Sequence, residues 1–361
     1  MNKPRKIDFF LEKNGEQIVF YSSEKVLLEA DKVLGYKNSA ARRSSVYQDF
    51  ALMGWKLNLF LNYVPMGQSS EIFNKRMDNL PMSARSVVLA TKMDSREAGK
   101  LAGKIRTWLE HRSVRVYTVN YPYQIPEEEI RKNPPDLIIV LGGDGTILSV
   151  VRAMLFHKAP FVGVNLGKVG FLAEISPSTW EEQLSLIFSS VFKVSRRLLL
   201  EFVIISGGRE IVSGVSVNEL VVSRGKMARL ISMDLESSQG TLKCIRADGM
   251  IFSTPTGSTA YCVSAGGPLV HPETQGIILA PICVFLHDFK PLVMPAAETF
   301  QVSICSDSPA AFLTVDGQTS YSLNPGDLLR VSRYHEDLKL LMCEEEGFIS
   351  KLRAKRFFTR G

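Results

Sequence analysis

Apolar and polar positions follow two different patterns along the chain, and the change falls near residue 190. Before it, short unbroken apolar runs such as Ser86 to Thr91 and Asp136 to Leu141 predict strands. Strands without polar alternation are typical of a parallel sheet that is covered on both faces. Between these two runs, apolar residues recur at helical spacing from Ala98 to Leu109 and predict a helix. This part of the chain is therefore predicted to be an α/β domain.

Beyond residue 190 the chain consists of successive β-rich runs, beginning with RRLLLEFVII. Gly207 and Gly208 then indicate a hairpin turn, and the runs IVSGVSVNELVVSR and ARLISMDLE continue the pattern. Closely spaced strands joined by turns favour antiparallel pairing. A second domain dominated by antiparallel strands is therefore predicted.

The predicted fold class is an α/β N-terminal domain with a Rossmann-like parallel sheet, plus an all-β C-terminal domain. An extension of unknown role, residues 1–80, precedes them. The α/β domain takes residues 81–190 and the β-rich domain residues 191–340. A C-terminal helix within residues 341–361 is expected to pack back on the α/β domain.

Composition and charge narrow the class of protein. Hydrophobic residues make up 45% and charged residues 22% of the 361 residues, as is usual for globular proteins. The formal net charge of +6 is scattered and lacks the basic stripe with interleaved aromatic residues that is typical of nucleic-acid binding. We therefore expect no nucleic-acid partner, and the modest surplus suits a small polyanionic substrate.

Cysteine usage and the N-terminus bear on the compartment. The five cysteines are widely spaced without a CxxC pair, which favours a reducing compartment. The first residues include Asp8, Glu12 and Glu16 and lack the apolar core of a secretory signal. No apolar run is long enough to span a bilayer. A soluble cytoplasmic protein without membrane contacts is expected.

The most informative turn is GGDGT, Gly142 to Thr146, which directly follows a predicted buried strand. Glycines let the backbone approach a phosphate closely and present N–H groups to it. Asp144 is expected at the carboxyl end of a parallel strand, where α/β sheets bind ligands. Thr146 is expected to cap the following helix, whose N-terminus favours an anion. An ordinary Gly–Asp turn without a ligand is the alternative.

Two further segments contain polar side chains in unusual settings. The loop Ser253 to Thr259 is rich in hydroxyl groups, which could bind ribose hydroxyls, an amide or phosphate oxygens, although a solvated linker is the alternative. Asn218 and Glu219 interrupt an otherwise apolar strand, VNELVV. Burying both without partners would cost several kcal/mol, so at least one is expected to meet a ligand or a loop, with a purely structural role as the alternative.

Several motifs together resemble the NAD kinase family, in the order that this family has. They are GGDGT, NLGKVGFL at Asn165 to Leu172, Asn218-Glu219 followed by SRGK, DGMIFSTPTGSTAY from Asp248, and VDGQ at Val315 to Gln318. GGDGT alone also occurs in diacylglycerol, sphingosine and phosphofructokinase-like kinases, whereas the STPTGSTAY block is far more specific. The resemblance implies an ATP-dependent NAD kinase that moves the γ-phosphate of ATP to the 2′-hydroxyl of the adenosine ribose of NAD, giving NADP and ADP.

The resemblance also implies roles for single residues, with ATP on the α/β domain and NAD on the β-rich domain. Asp144 would accept the proton of the ribose hydroxyl. The residues implied to bind ATP phosphates are Gly142, Gly143, Gly145 and Thr146. The residues implied to bind NAD are Asp144, Gly145, Asn218, Glu219, Arg229, Arg246, Asp248, Thr259, Ala260, Tyr261, Cys262, Val263, Ser264 and Gln318. Mg²⁺ or another divalent cation would accompany ATP without an assigned protein ligand, in a homodimer or homotetramer whose sites are shared between subunits.

One segment departs from the family pattern. In Pro281 to Pro291, Val284 and Phe285 stand at the Pro-His positions and Lys290 replaces an arginine. A lost polar contact there could alter substrate preference or subunit packing.

The alternatives to an NAD kinase are a lipid kinase that shares GGDGT and a non-catalytic NAD(P)-binding sensor. The hydroxyl-rich loop argues against the first, and Asp144 argues against the second.

Overall fold

The structure, a computed structural model, describes residues 8–13, 16–20, 56–60, 84–92, 95–121, 130, 132–167, 170–225, 229–285, 289–342 and 347–358. Residues 1–81 and 82–361 form two compact units. The first unit contains β1 (Asp8–Lys13), β2 (Glu16–Phe20) and β3 (Lys56–Phe60). These strands form an antiparallel sheet in the order β2-β1-β3. The role of residues 1–80 stays open.

The second unit contains the following strands and helices in chain order. They are β4 (Ser86–Lys92), α1 (Arg96–Glu110), β5 (Arg115–Tyr121), β6 (Leu137–Gly142), α2 (Asp144–Met154), β7 (Phe161–Asn165), α3 (Trp180–Phe188), β8 (Lys193–Arg197), β9 (Leu200–Ser206), β10 (Arg209–Ser216), β11 (Glu219–Arg224), β12 (Ile231–Ser237), β13 (Gly240–Ala247), β14 (Gly249–Ser253), α4 (Tyr261–Ser264), β15 (Gly276–Ile282), β16 (Leu292–Pro295), β17 (Phe300–Ile304), β18 (Ala311–Val315), β19 (Thr319–Leu323), β20 (Leu328–Arg333), β21 (Leu338–Met342) and α5 (Phe348–Ala354). Short 3₁₀ turns follow α2 and precede α4, at Leu155–His157 and Thr256–Thr259.

The α/β region is built on a sheet in the order β5-β4-β6-β7-β21-β8. All pairs are parallel except the last, in which β8 runs antiparallel to β21. Every residue of β6 is buried, as its unbroken apolar run predicts. The helix α1 is N-capped by Ser95, whose side chain accepts a hydrogen bond from the Ala98 N–H. Its buried face matches the predicted helical spacing.

The β-rich region consists of two antiparallel six-stranded sheets. Their strand orders are β10-β9-β20-β17-β12-β13 and β16-β15-β14-β11-β18-β19. One apolar core includes residues of both sheets, and the rings of Phe252 in β14 and Phe300 in β17 lie 5.6 Å apart within it. Gly207 and Gly208, with φ values of +56° and +75°, form the predicted hairpin turn between β9 and β10. The predicted fold class is confirmed.

The chain returns to the α/β region after the β-rich part. Strand β8 and most of β21 fall within residues 191–340, which are predicted as the β-rich domain, yet both pair within the α/β sheet. In α5, Lys351 forms an ion pair with Glu174, and the ring of Phe357 after the helix contacts that of Phe171. Since residues 82–361 form one compact unit, the division at residue 190 stays a prediction. Among the described helices, none has the length and apolar character needed to cross a bilayer.

Candidate functional site

The GGDGT turn joins strand β6 to helix α2. Gly143 is the N-cap residue in an extended conformation, and α2 begins at Asp144. The expectation that Thr146 caps the helix was wrong, because the extended Gly143 takes the cap position and leaves Thr146 inside the first turn, with its N–H donating to the Gly143 carbonyl at 2.9 Å. A Cβ atom on Gly142 would lie 2.5 to 2.9 Å from the Thr146 side chain. The turn therefore needs glycine at position 142, whereas Gly143 has open space beside it.

The side chain of Asp144 is held by the backbone of the NLGKVGFL segment and the residue after it. The Phe171 N–H donates to Oδ2 at 2.8 Å, and the N–H groups of Leu172 and Ala173 donate to Oδ1 at 3.1 and 3.3 Å. A Cβ atom at Gly170 would overlap the Asp144 carboxylate. Backbone donors cannot be removed by changing side chains. The carboxylate is therefore fixed at the N-terminus of α2, and Gly170 is a required neighbour that residue types alone did not reveal.

A buried carboxylate, Asp316, organises the backbone of the Asn218-Glu219 motif. Its Oδ1 accepts hydrogen bonds from the Ser216 hydroxyl and the Asn218 N–H, each at 2.7 Å. The N–H groups of Val217 and Glu219 also donate to this carboxylate, at 3.1 and 3.2 Å. Asp316 lies in the turn between β18 and β19 with a φ of +48°. Residues 216–219 are thereby held in one conformation by a single side chain.

Arg152 and Gln318 connect this carboxylate to helix α2. The Arg152 guanidinium donates from Nη1 to Asp316 Oδ2 at 2.9 Å and from Nη2 to Gln318 Oε1 at 2.7 Å. The Gln318 amide donates from Nε2 to the Gly145 carbonyl at 2.8 Å. We call Arg152, Asp316 and Gln318 the Asp316 network. It links the GGDGT turn to the Asn218-Glu219 motif, and the predicted contact of Gln318 with NAD stays a prediction.

Glu219 has an unusual electrostatic environment. Burial, and then the negative charge of Asp316, raise the pKa of Glu219 to about 8, against a weaker opposing hydrogen bond from the Tyr261 backbone. Its carboxyl group is therefore mostly neutral at neutral pH. Among the side chains that the structure describes, its Oε2 is one of the buried atoms without a hydrogen-bond partner. A buried carboxyl oxygen without a partner is costly, and a bound ligand would satisfy it.

The hydroxyl-rich loop is shaped by its own hydroxyl groups. The Thr254 hydroxyl donates to the Val217 carbonyl at 2.7 Å and accepts the Gly257 N–H at 3.0 Å. Ser258 is buried and exchanges hydrogen bonds with the Val270 backbone at 3.1 Å. Loop carbonyls and N–H groups therefore use the hydroxyls of Thr254 and Ser258, and ligand binding by the other hydroxyls of the loop stays a prediction. The Thr256 hydroxyl is buried without a partner in the described part of the chain.

The segment Thr259 to Ser264, predicted to bind NAD, forms the surface edge of this loop. Thr259 and Ala260 are half-buried, Tyr261 is 46% exposed, Val263 is half-buried and Ser264 is exposed. Cys262 is fully buried in an apolar cluster with Val221 and Ile251. Its side chain therefore packs into the protein, while its neighbours on either side reach the surface.

The remaining predicted NAD residues lie around β12, β13 and β14. Asp248 accepts a hydrogen bond from Arg224 Nε at 2.5 Å, a partner that was not predicted although Arg224 belongs to the SRGK motif. The guanidinium carbon of Arg246 lies 5.2 Å from the ring centroid of Phe285, one of the residues that depart from the family pattern. The Phe285 N–H also donates to the Arg246 carbonyl at 2.8 Å. Arg229 is exposed just before β12.

Comparisons with known proteins agree on one family. The ATP-NAD kinase N-terminal domain matches residues 127–191, and the ATP-NAD kinase C-terminal domain matches residues 217–342. The chain is 41% identical to the NAD kinase of Nitratidesulfovibrio vulgaris strain Miyazaki F over 273 residues, covering 76% of this chain and 96% of that protein. It is 38% identical to the NAD kinase of Oleidesulfovibrio alaskensis strain G20 over 279 residues, covering 76% and 93%.

Solved structures give the same result. Yeast NADH kinase, crystallised with NADH, superimposes with a TM-score of 0.69 at 26% identity and covers 77% of this chain and 89% of its own. The NAD kinase of Archaeoglobus fulgidus, crystallised with ATP, superimposes with a TM-score of 0.61 at 27% identity and covers 74% and 99%.

Proposed function

The chain belongs to the NAD kinase family, and we propose that Asp144 is the residue through which it directs the phosphate of ATP to NAD. The protein is an NAD kinase, which transfers the γ-phosphate of ATP to the 2′-hydroxyl of the adenosine ribose and forms NADP and ADP. Matches to both family domains leave no support for the lipid kinase alternative.

One observation carries the proposal for Asp144, namely the hydrogen bonds that three consecutive backbone N–H groups donate to its carboxylate. In the proposed step, Asp144 accepts a hydrogen bond from the 2′-hydroxyl and takes its proton as the oxygen bonds to the γ-phosphorus. The bond from this phosphorus to the β,γ-bridging oxygen breaks, and ADP leaves with the electron pair. Phosphoryl transfer depends on positioning and charge stabilisation, so a fixed carboxylate is well suited to the task.

The phosphates of ATP are proposed to bind at the turn Gly142 to Thr146. Gly143 has open space beside its backbone, and the N-terminus of α2 provides N–H groups and a favourable dipole for an anion. A divalent cation would accompany ATP and bind mainly through its phosphates and water, as Mg²⁺ commonly does, with no protein ligand assigned. When bound, such a cation neutralises charge on the phosphates.

NAD is proposed to bind along the surface edge Thr259 to Ser264 and to contact Asn218 and Glu219 as well. The unpartnered Oε2 of Glu219 supports this placement, because a neutral carboxyl group can both donate and accept a hydrogen bond. Arg229, Arg246 and Asp248 are proposed to contribute the outer contacts. The Asp316 network is proposed to set the distance between this edge and Asp144, because its members bond to both motifs.

A homodimer or homotetramer is also proposed. The edge strand β16 exposes Leu292 and Val293 at 41% and 49%, and such apolar exposure on a sheet edge favours contact with another subunit. Size-exclusion chromatography with light scattering tests the oligomeric state.

A cytoplasmic location is proposed from the cysteine pattern.

The role of Asp144 is tested by measuring NADP formation from NAD, ATP and Mg²⁺ with the wild type and Asp144→Asn. The expected kcat falls by about 10²- to 10⁴-fold, the usual contribution of a positioned acid or base. Calorimetric NAD affinity should stay close to that of the wild type. Glu110→Gln is the control, since Glu110 is exposed on α1 and its ion pair is with its helix neighbour Arg106. Near-normal turnover of Asp144→Asn would remove this residue from the mechanism.

A further inference from the structure

Three side chains with metal-binding atoms converge on the sheet that contains β12. Asp234 lies in β12, Cys244 in the neighbouring strand β13, and Cys305 directly after β17 on the other side. One carboxylate oxygen and the two sulfur atoms all lie within 4.8 Å of one another. Asp234 and Cys244 are 10 residues apart on consecutive strands, whereas Cys305 is 71 residues from Asp234 and is brought to them by the pairing of β17 with β12.

A β-bulge creates this arrangement. The pairing register of β12 and β13 shifts between Met233 and Leu235, directly at Asp234. Two residues of β13, Lys243 and Cys244, stand opposite Asp234, and Cys244 has a φ of +52°, in the left-handed region that is unfavourable for residues other than glycine. Its N–H donates to Asp234 Oδ1 at 2.7 Å, and the Cys305 sulfur lies 3.9 Å from the same oxygen. The Asp234 carboxylate is thus held close to both cysteines.

We propose that Asp234, Cys244 and Cys305 form a binding site for a thiophilic divalent cation of the Zn²⁺ class, with water as a fourth ligand. Zinc binds cysteine sulfur at about 2.3 Å and carboxylate oxygen at about 2.0 to 2.2 Å in tetrahedral geometry. Ligand atoms around one such ion lie roughly 3.5 to 3.8 Å apart, so small side-chain rotations from the present spacing suffice. Two thiolates select this cation over Mg²⁺, which prefers oxygen ligands.

The local charges suit a cation. The carboxylates of Asp234 and Asp307 lie near the Cys305 sulfur, and their negative charge attracts a cation. Asp307 is exposed in the turn after Cys305, and Ser308 fixes this turn by accepting the Ser232 N–H at 3.0 Å. The hydrogen bond from the Cys244 backbone to Asp234 resembles the outer contacts that orient metal-binding carboxylates in proteins.

A bound cation would join three adjacent strands of the β-rich region, β17, β12 and β13. Because it would bind the folded chain and not the unfolded one, it should raise the unfolding temperature with increasing cation concentration. This inference does not depend on the proposed roles of the kinase residues, so failure of either leaves the other unaffected.

Binding is tested on tag-free full-length protein kept reduced with a phosphine. Cd²⁺ titration is followed by the ultraviolet charge-transfer band of thiolate ligands, and Zn²⁺ affinity by competition with a chromophoric chelator. One equivalent is expected to bind. Cys244→Ser and Cys305→Ser should each weaken binding by more than about 100-fold, because losing even an outer partner costs about 10- to 100-fold. Asp234→Asn keeps an acceptor for the Cys244 N–H and should weaken binding less.

Cys283→Ser is the matched control, because Cys283 is also exposed and also has a positive φ, +47°, but is absent from the cluster. It should bind like the wild type, and circular dichroism checks that every variant folds. Three results would each overturn the proposal: no saturable binding by folded protein, equal loss in Cys283→Ser, or a Cys244–Cys305 disulfide whose reduction yields protein that does not bind.

Discussion

Asp316 provides the most demanding test of how the site is assembled. Its side chain is fully buried and accepts hydrogen bonds from the Ser216 hydroxyl, the backbone of residues 217–219 and the Arg152 guanidinium. Asparagine has almost the same shape and keeps one acceptor oxygen, but it has no charge and brings an NH₂ group toward these donors. Asp316→Asn therefore perturbs the network without leaving a cavity.

The magnitude follows from the buried ion pair. Removing one partner of a buried pair destabilises a protein by about 3–5 kcal/mol, because the other charge and its donors lose their partner. The loss of stability in Asp316→Asn should lie at the lower end of this range, about 3 kcal/mol, since the remaining amide oxygen still accepts a backbone N–H. Because these N–H groups position the Asn218-Glu219 motif, kcat/KM for NAD should fall as well. Arg152→Met keeps the apolar part of the side chain, and it should also lower both the free energy of unfolding and kcat/KM for NAD.

Urea unfolding and steady-state kinetics of both single variants and the double variant give the coupling between the two residues. A coupling energy of about 1–3 kcal/mol is expected for groups in one buried network. Glu110→Gln removes an exposed ion pair and should change stability by less than about 1 kcal/mol. If Asp316→Asn unfolds and turns over like the wild type, the network does not position the site.

Two further predictions concern Glu219 and Gly170. The raised pKa of Glu219 means that the folded state holds a proton that the unfolded state releases above its ordinary pKa of 4.5. Stability from this group is therefore present below pH 4.5 and lost as the pH rises to about 8, at up to about 1.4 kcal/mol per pH unit. The amide side chain introduced by Glu219→Gln does not titrate. The free energy of unfolding of this variant, measured in urea relative to that of the wild type, should therefore rise between pH 5 and pH 8, at up to about 1.4 kcal/mol per pH unit. A difference that does not change with pH would refute the raised pKa of Glu219. Gly170→Ala places a Cβ atom on the Asp144 carboxylate and should lower kcat by about 10²-fold or more, since small misplacements at a reacting centre have such effects. Gly103→Ala, in open space on α1, is its control and should leave kcat unchanged, while equal turnover of both variants would show that Asp144 needs no fixed position.

Local sequence patterns predicted the strands and helices that lie next to one another in the chain. The apolar runs gave β4 and β6, and the helical spacing from Ala98 to Leu109 gave α1, because burial on both faces or on one face leaves a distinct pattern. The pairing of β21 with β7 was not predictable in this way. These strands are separated by the whole β-rich region, and an apolar strand does not specify which distant strand it will join.

The candidate site shows the same limit. Asp144 and the Asn218-Glu219 motif were identified because their polar groups stand beside buried strands. The residue types of the hydroxyl-rich loop could not show that Thr254 and Ser258 bond to nearby backbone groups, since serine and threonine do so as readily as they bond to ligands. Asp316 was seen only as part of VDGQ. Its Asp-Gly pair between two strand-like runs is a hairpin signal that could have placed it in a turn, but its four backbone and hydroxyl donors come from residues about 100 positions away.

The most direct test of the central claim is to identify the product that the purified wild-type protein forms from NAD, ATP and Mg²⁺. The product is detected with a dehydrogenase that accepts NADP and rejects NAD, and the phosphate position is assigned by phosphorus NMR. The account predicts one ADP released for each NADP formed, with the phosphate on the 2′-hydroxyl of the adenosine ribose. Calorimetric binding of NAD without any NADP, under conditions in which ATP also binds, would contradict it and favour a non-catalytic sensor.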